Sequence, residues 1–239
     1  KMIFCQAYDY ILETLQPGFS WANYGVTKCI TTTDSQKEYI NNLFPSIQTD
    51  VIKPSIPEYF KPSKKPKTPL VAIHTRDPRD TMKIIKEFYL RNPQFKWLTF
   101  RDMRNVGREE FAKILGESCV GVWVDRGSGF GTFPLEAMAC NTPVIGNLPI
   151  LKPDWLNQEN GLWVYDESKI GEVLGNYVKN WLEDNLPPKL YDEMAKTVVP
   201  YTEENERNEV VSYFKNLFKE KTEEFNNSIN KLSPVGANA

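Results

Sequence analysis

The sequence predicts an α/β fold, a doubly wound parallel sheet of the Rossmann type with helices at its C-terminal end. Unbroken apolar runs at residues 70–75 and 119–124 are typical of strands that are buried on both faces of a parallel sheet. Segments with helical periodicity separate such runs and are long enough to serve as crossover helices. A turn with three glycines then leads from the second run into a helix that begins near Thr132.

A smaller set of elements precedes this domain. They are strands at residues 2–7 and 28–33 and a helix at residues 36–44, which follows the capping residues Asp34 and Ser35. Prolines then recur through residues 54–68 and block both helix continuation and the hydrogen bonding of a central strand. We interpret residues 1–53 as the end of a truncated or reduced first α/β domain, and residues 54–68 as a linker.

The main domain is predicted over residues 69–200. Its strands are expected at residues 70–75, 95–100, 119–124, 143–146 and 161–165, and its helices at residues 81–91, 108–117, 132–140, 168–183 and 188–198. Residues 201–225 have helical periodicity and are predicted to form a closing helix. The last residues, 226–239, are polar and small, and we expect them to fray as a flexible tail.

Composition and charge exclude several classes of protein. The 239 residues are 41% hydrophobic and 13% aromatic, which is too apolar for a disordered chain. No apolar run approaches the roughly 20 residues of a membrane-spanning helix. The net charge of −2 does not favour duplex nucleic acid as a partner. Four scattered cysteines and a single histidine exclude the usual zinc sites and predict reduced thiols in a cytoplasmic protein.

The most informative segment is the glycine turn and the helix after it. The turn contains Asp125, Ser128, Gly129, Phe130 and Gly131, and the helix begins at Thr132. Glycines let backbone N–H groups approach a ligand without a Cβ atom in the way, and a helix N-terminus attracts anions, so the segment predicts a phosphate site. Glu136 lies about one turn into the helix, where a carboxylate can accept two hydrogen bonds from a vicinal diol. The alternative is a tight strand-to-helix turn with a solvent-facing glutamate.

Residues 129–145 read GFGTFPLEAMACNTPVI. This segment resembles the signature of GT-B glycosyltransferases, specifically the large retaining family 4-like group (glycosyl transferases group 1), which reads EGFG and then LEAMACGTPVI. The resemblance implies that the chain is the C-terminal, nucleotide-sugar-binding half of such an enzyme. It also implies that Glu136 binds the ribose of the donor and that Gly129, Phe130 and Gly131 lie against its sugar and diphosphate. Residues 201–218 resemble the family's helix that crosses back to the first domain.

The chain departs from the family pattern at the sugar site and in length. Ser128 stands where the family has a glutamate that contacts the donor sugar. Between residues 95 and 125, one strand-and-helix unit of the family is missing. The residues before the linker are too few for a complete acceptor domain. The chain is therefore either the C-terminal portion of a longer protein or a protein with a reduced first domain.

The family also implies two cations that neutralise the donor diphosphate. Arg76, directly after the strand at residues 70–75, occupies the position of the family's arginine. A planar guanidinium suits a diphosphate because it can bond two oxygens at once. The position of the family's lysine holds Asp80 or Thr81, and the substitutes within reach are Arg79 and Lys83.

Several of these residues have a structural alternative. Surface ion pairs are possible for two arginines, Arg76 and Arg79, with Asp77 and Asp80. His74 is either a general base or a structural histidine at the end of a strand, and Asp125 either contacts ligand hydroxyls or caps its loop. Three tryptophans in predicted strands are interpreted as core residues rather than as a platform for sugars: Trp97, Trp123 and Trp163.

The resemblance implies glycosyl transfer from a UDP-sugar or GDP-sugar to an acceptor hydroxyl, with retention of anomeric configuration and with no cofactor or metal. The acceptor class is a glycan, a lipid-linked sugar or another hydroxyl compound, reached from the cytoplasm or from the inner membrane face. One alternative is a non-catalytic module that binds a nucleotide sugar. Another is an NAD-dependent oxidoreductase, which is disfavoured because Thr132 stands where its Gly-x-Gly-x-x-Gly motif, counted from Gly127, needs the third glycine.

Overall fold

The structure, a computed structural model, describes residues 1–232. The strands are β1 (Met2–Cys5), β2 (Lys28–Thr31), β3 (Gln48–Val51), β4 (Thr68–Thr75), β5 (Thr99–Asp102), β6 (Ser118–Val124), β7 (Val144–Asn147) and β8 (Leu162–Val164). The helices are α1 (Asp34–Leu43), α2 (Pro78–Arg91), α3 (Arg108–Glu117), α4 (Thr132–Ala139), α5 (Ile170–Leu182), α6 (Pro188–Val198) and α7 (Glu203–Leu232). Helices and strands alternate through most of these residues, as the sequence predicts.

The strands form two parallel sheets, one in each of two lobes. In the first lobe, residues 1–51, the order is β1, β2, β3. In the second lobe, residues 68–198, the order is β5, β4, β6, β7, β8. The parallel pairing and the flanking helices confirm the predicted α/β class. Because the chain passes from β4 to β5 on one side and then crosses to β6 on the other, the carboxyl ends of β4 and β6 border a crevice of the kind that binds ligands in open α/β sheets.

Apolar side chains cover both faces of the larger sheet. Every residue of β6 is buried, which explains why its sequence is an unbroken apolar run. On one face α2 and α5 supply Phe88 and Leu174, both with no exposed surface, and on the other face α4 and α6 supply Leu135 and Met194. This packing holds the ends of β4 and β6 rigidly beside the first turn of α4.

Some element boundaries differ from the prediction. The strand expected at residues 95–100 is β5, which begins only at Thr99, because Pro93 opens a short 3-10 helix over Pro93–Phe95. Trp97 therefore lies in a turn and is 45% exposed, so its assignment to the core is wrong. The strand β3 was missed because its sequence, Gln-Thr-Asp-Val, has little β propensity, and its extended form depends on pairing with β2.

The long helix α7 joins the two lobes. It continues to Leu232, past the predicted end at residue 225, so residues 226–232 are helical although we expected them to fray, and residues 233–239 lie outside the described part of the chain. Its Glu220 pairs with Lys28 of the first lobe at 2.7 Å. Near the helix start, the Glu209 carboxylate accepts a hydrogen bond from the Lys53 backbone N–H at 2.9 Å. These contacts connect the C-terminal helix to the first lobe and to the chain that leaves β3.

The cysteines Cys5, Cys29, Cys119 and Cys140 are free and buried, and burial raises the pKa of the first to about 11 and of the others to about 12. A thiol with so high a pKa is a poor nucleophile at neutral pH. Within residues 1–232, no helix combines the length and the apolar composition needed to cross a bilayer.

Candidate functional site

A cavity of about 320 Å³ lies between the two lobes, at the crevice beside β4 and β6. The first lobe and the linker contribute Gln6, Ala7, Tyr10, Thr32 and Pro54. The second lobe contributes His74, Arg76, Trp123, Asp125, Ser128, Gly129, Phe130, Gly131, Thr132 and Phe133. The volume is at the lower end of the range typical of small-molecule sites.

Most of the site residues predicted from the sequence converge on this cavity. Arg76 follows β4 and Asp125 follows β6, so the switch in strand order brings them together. Residues 128–132 line the cavity because the glycine turn starts where β6 ends. Arg79, Lys83 and Glu136 do not line it. The first-lobe residues were missed, because no local motif marks them and the arrangement of the lobes alone brings them to the site.

Arg76 is held by two carboxylates, one from each lobe. Its Nε donates to Asp125 Oδ1 at 2.7 Å, and its Nη1 donates to Asp9 Oδ2 at 3.1 Å. Burial alone lowers the pKa of Arg76, but the two carboxylates outweigh burial and leave that pKa above its ordinary value. Arg76 is thus a permanent cation at the cavity wall, and it pairs with Asp125 and Asp9 rather than with Asp77 or Asp80.

The two substitutes for the family's lysine lie on α2, away from the cavity. Arg79 is 90% exposed and pairs with Asp77 at 2.6 Å, and Asp77 also caps α2 by accepting a hydrogen bond from the Arg79 backbone N–H. For Arg79, the structure therefore agrees with the alternative of a surface ion pair. Lys83 is exposed on the same helix. Arg76 is the one arginine or lysine among the cavity-lining residues of the described chain.

Replacing Arg79 or Lys83 with glutamine is expected to leave donor affinity within about twofold of the unmodified protein, because exposed charges outside a site contribute little. Calorimetric titration of each variant with UDP and GDP measures this directly. A tenfold loss in either variant would restore that residue to the diphosphate site.

The glycine turn packs closely against the first lobe. Ala7 and Ser128 form an antiparallel β-bridge, and the Tyr8 N–H donates to the Gly127 carbonyl at 3.1 Å. A Cβ atom at position 129 would overlap the Gln36 amide and the Gln6 carbonyl of the first lobe. We expected this glycine to make room for a ligand; in the structure it lines the cavity and also makes room for the first lobe.

Gly131 has a different role, because it sets the start of α4. It is the N-cap residue in the left-handed region, with φ of 76°, and a Cβ atom there would lie 2.9 Å from the Trp123 ring. No side chain caps the helix, so the N–H groups of Thr132 and Phe133 begin the helix at the cavity wall. Unpaired N–H groups at a helix N-terminus favour an anion.

Gly131→Ala is expected to lower the free energy of unfolding by about 2 to 4 kcal/mol, because a left-handed conformation and a steric overlap act together. Gly18→Ala is the matched control, since Gly18 has φ of 82° and a Cβ atom there would meet no atom within 4 Å. That control should lose about 1 to 2 kcal/mol. Urea denaturation compares the two, and equal losses would show that the Trp123 contact is unimportant.

Glu136 is buried in α4, with 2% of its side chain exposed. Its Oε1 accepts a hydrogen bond from Arg108 Nη2 at 2.7 Å. Burial raises the pKa of Glu136, and Arg108 opposes this rise without cancelling it. The alternative of a solvent-facing glutamate is therefore wrong. Arg108 was missed, and the sequence signal that could have found it is an arginine at the first position of a helix.

His74 lies at the end of β4 and contacts the aromatic core as well as the cavity. Its ring stacks on Phe133 with centroids 5.4 Å apart, and its Nδ1 is buried without a hydrogen-bond partner. Burial lowers the pKa of His74, and the carboxylates Asp125 and Asp102 only partly oppose this. The imidazole is thus neutral at physiological pH, a form compatible with both alternatives, structural residue and base.

Comparison with known proteins places this geometry in context. No protein-family model matches the chain. A curated relative, the alpha-1,6-glucosyltransferase of Actinobacillus pleuropneumoniae serotype 7 (strain AP76), is 32% identical over 99 residues, which is 41% of this chain and 30% of that protein.

Solved structures match over most of the chain. The pneumococcal O-GlcNAc transferase GtfA, in complex with UDP and GlcNAc, superposes with a TM-score of 0.63 at 14% identity, over 92% of this chain and 52% of that chain. TarM superposes with a TM-score of 0.66 at 14% identity, over 90% of this chain and 50% of TarM. The sucrose-phosphate synthase of Thermosynechococcus elongatus superposes with a TM-score of 0.61 at 16% identity, over 91% of this chain and 68% of the synthase. The chain spans about half the length of GtfA and TarM, and it has the GT-B fold that its sequence motif indicates.

Proposed function

We propose that this chain is the nucleotide-sugar-binding half of a glycosyltransferase, which moves a glycosyl group from a UDP-sugar or GDP-sugar to an acceptor hydroxyl. The observation that carries the proposal is the convergence of the Arg76 guanidinium and the N-terminus of α4 on one cavity between the lobes. Both features favour an anion, and the carboxyl ends of a doubly wound sheet are where such folds bind ligands. The names of the relatives, a glucosyltransferase and a transferase bound to UDP, support the same chemistry.

The diphosphate leaving group is the part of the donor that this site is suited to stabilise. The bond between the anomeric carbon and the diphosphate oxygen breaks, and negative charge develops on that oxygen. The acceptor oxygen bonds to the anomeric carbon, and its proton passes to the leaving diphosphate. Arg76 and the first N–H groups of α4 would meet this charge inside a partly enclosed cavity, where preorganised donors are most effective. Because the Asp9 carboxylate now pairs with Arg76, the diphosphate takes the place of Asp9 when the donor binds.

Glu136 is proposed to bind the ribose diol, as the family resemblance implies. A carboxylate has about four lone-pair positions, so its pairing with Arg108 leaves acceptor capacity for two hydroxyl groups. Gln6, Tyr10 and Thr32 of the first lobe line the cavity and offer amide and hydroxyl groups to the transferred sugar or to the acceptor. We propose retention of anomeric configuration on the resemblance alone. The prediction that no metal takes part stays a prediction.

A second candidate is a non-catalytic module that binds a nucleotide sugar. Two observations favour it: the close packing of the first lobe on the glycine turn and the pairing of Arg76 with Asp9. The presence of Ser128 in place of the family's glutamate also favours a non-catalytic module, since Ser128 is buried and cannot supply a carboxylate.

Calorimetric titration with UDP, GDP and ADP tests the shared part of both candidates, and we expect micromolar to millimolar binding of UDP or GDP. Failure to bind any of the three would contradict both. Release of UDP or GDP from a radiolabelled nucleotide sugar by the protein then separates an enzyme from a binding module.

A further inference from the structure

The ion pair between Arg108 and Glu136 joins a surface residue to a buried one. The Arg108 side chain is 53% exposed, whereas that of Glu136 is 2% exposed. The two residues come from neighbouring helices, Arg108 from the start of α3 and Glu136 from the middle of α4. A buried carboxylate is unfavourable when it has no partner, so this arginine favours the ionised form of the carboxylate.

The Arg108 guanidinium is itself held by aromatic residues. Its central carbon lies 5.0 Å from the centroid of the Phe60 ring and 5.8 Å from that of Phe111. Its Nε donates a hydrogen bond to the Tyr59 hydroxyl at 3.3 Å. Cation–π contacts of this kind orient a guanidinium as well as stabilise it. Because Tyr59 and Phe60 belong to the segment between the lobes, that segment fixes the direction in which Arg108 presents its Nη2 to Glu136.

Helix formation does not explain an arginine at this position. Arg108 is the first residue of α3, where the helix dipole disfavours a positive charge, and Gly107 gives the helix no side-chain cap. Glu109 and Glu110 in the same turn have the sign that the dipole favours. A residue that opposes a local rule is typical of a functional position, provided that other contacts compensate for it. Here the Glu136 carboxylate and the two aromatic rings provide that compensation.

We propose that Arg108 is a positioning residue for donor binding, which holds the Glu136 carboxylate in one orientation and leaves its remaining lone pairs for the ribose diol. This inference rests on the proposed function. Arg108 acts through Glu136 and is not itself a contact of the reacting atoms. The Arg108 bond occupies one position on Oε1, and the remaining lone pairs of the carboxylate are acceptors for the two hydroxyl groups.

The surroundings of Glu136 predict how donor binding depends on pH. The ionisable groups that act on it or lie against its pair are Arg108 on α3, Cys140 at the end of α4 and Tyr59 before β4. Burial raises the pKa of the Cys140 thiol to about 12, so it stays neutral. Without Arg108, burial acts unopposed and the pKa of Glu136 rises further. Donor affinity should then fall at a higher pH as the solution is acidified.

The test compares Arg108→Gln and Arg108→Lys with Arg104→Gln as the matched control. Arg104 lies four residues earlier, before α3, and pairs with Asp102. UDP affinity is measured by calorimetry from neutral to mildly acidic pH. We expect Arg108→Gln to weaken binding about 10- to 100-fold, as for the loss of a hydrogen bond to a charged group. The loss of UDP affinity on acidification should occur at a higher pH in Arg108→Gln than in the unmodified protein. In Arg108→Lys this shift should be smaller, and in Arg104→Gln the affinity should match that of the unmodified protein at every pH.

Carbon NMR titration of the Glu136 carboxyl in glutamate-labelled protein gives a readout without ligand. An unshifted Glu136 titration together with unmodified UDP affinity in folded Arg108→Gln would overturn the inference. If that variant does not fold, Arg108→Lys decides by the same two measurements. Absence of UDP and GDP binding by the unmodified protein would overturn the proposed function and the donor role of Arg108 together. If the unmodified protein binds UDP and Arg108→Gln binds it with the same affinity, the role of Arg108 is overturned and the proposed function is not.

Discussion

Arg76→Gln is expected to lower kcat/KM for the nucleotide sugar by about 10²- to 10³-fold, with most of the loss in kcat. The guanidinium would act mainly on the charge that develops on the leaving diphosphate, because its interaction strengthens as the glycosidic bond breaks. Glutamine keeps hydrogen-bonding capacity and removes the charge. The variant also leaves Asp125 and Asp9 without their shared cation. Steady-state kinetics with varied donor concentration measures the effect.

Arg126→Gln is the matched control for this prediction. Arg126 is 53% exposed, compared with 43% for Arg76, and it too is paired, with Asp80 at 3.4 Å and with Glu167, but it does not line the cavity. Its loss should change kcat/KM by less than about threefold, as is usual for a partly exposed ion pair. Equal losses in the two variants would mean that the general positive charge of this surface, rather than Arg76, matters to the donor.

Glu136→Ala is expected to lower kcat/KM for the donor by about 30- to 1000-fold, which corresponds to about 2 to 4 kcal/mol. Two hydrogen bonds from the ribose to a charged acceptor would be lost at once. The effect should appear mainly in KM, because the ribose is remote from the bond that breaks and is held equally in the ground state and the transition state. Calorimetry with UDP should show a loss of the same size.

Glu136→Gln separates charge from shape in the same position. It preserves the volume of a side chain that is 2% exposed and leaves Arg108 facing a neutral amide. Its affinity for UDP should lie between those of the alanine variant and the unmodified protein. Unchanged donor kinetics in a folded Glu136→Ala protein would remove the ribose assignment. Thermal or urea unfolding of each variant shows whether the fold is retained.

The features that sequence reasoning predicted well are those that depend on local patterns. The strands β4 and β6 are recognisable because both of their faces are buried, so almost every position must be apolar. The start of α4 is recognisable because Gly131 has φ of 76°, a conformation that favours glycine. Arg76 was assigned to the diphosphate by the family resemblance, and it lines the cavity because it directly follows β4.

The features that sequence reasoning missed depend on contacts between segments far apart in the chain. Arg79 and Lys83 were assigned by their distance along the sequence, but the helix α2 carries them away from the end of β4. The contact between Gly129 and Gln36 of the first lobe was not predicted, because nothing in the sequence near Gly129 indicates it. The ion pair between Arg108 and Glu136 joins residues 28 positions apart, and the sequence around neither residue predicts it.

The fold class and the position of the glycine turn follow from the amino-acid pattern, because burial on both faces of a sheet and a left-handed glycine restrict which residue types are allowed. The partners of the charged residues do not follow from it. Asp9 reaches Arg76 only after the two lobes have packed together, and Arg108 reaches Glu136 only after α3 and α4 have packed together. A charge pairs with whichever opposite charge this packing brings within hydrogen-bond distance.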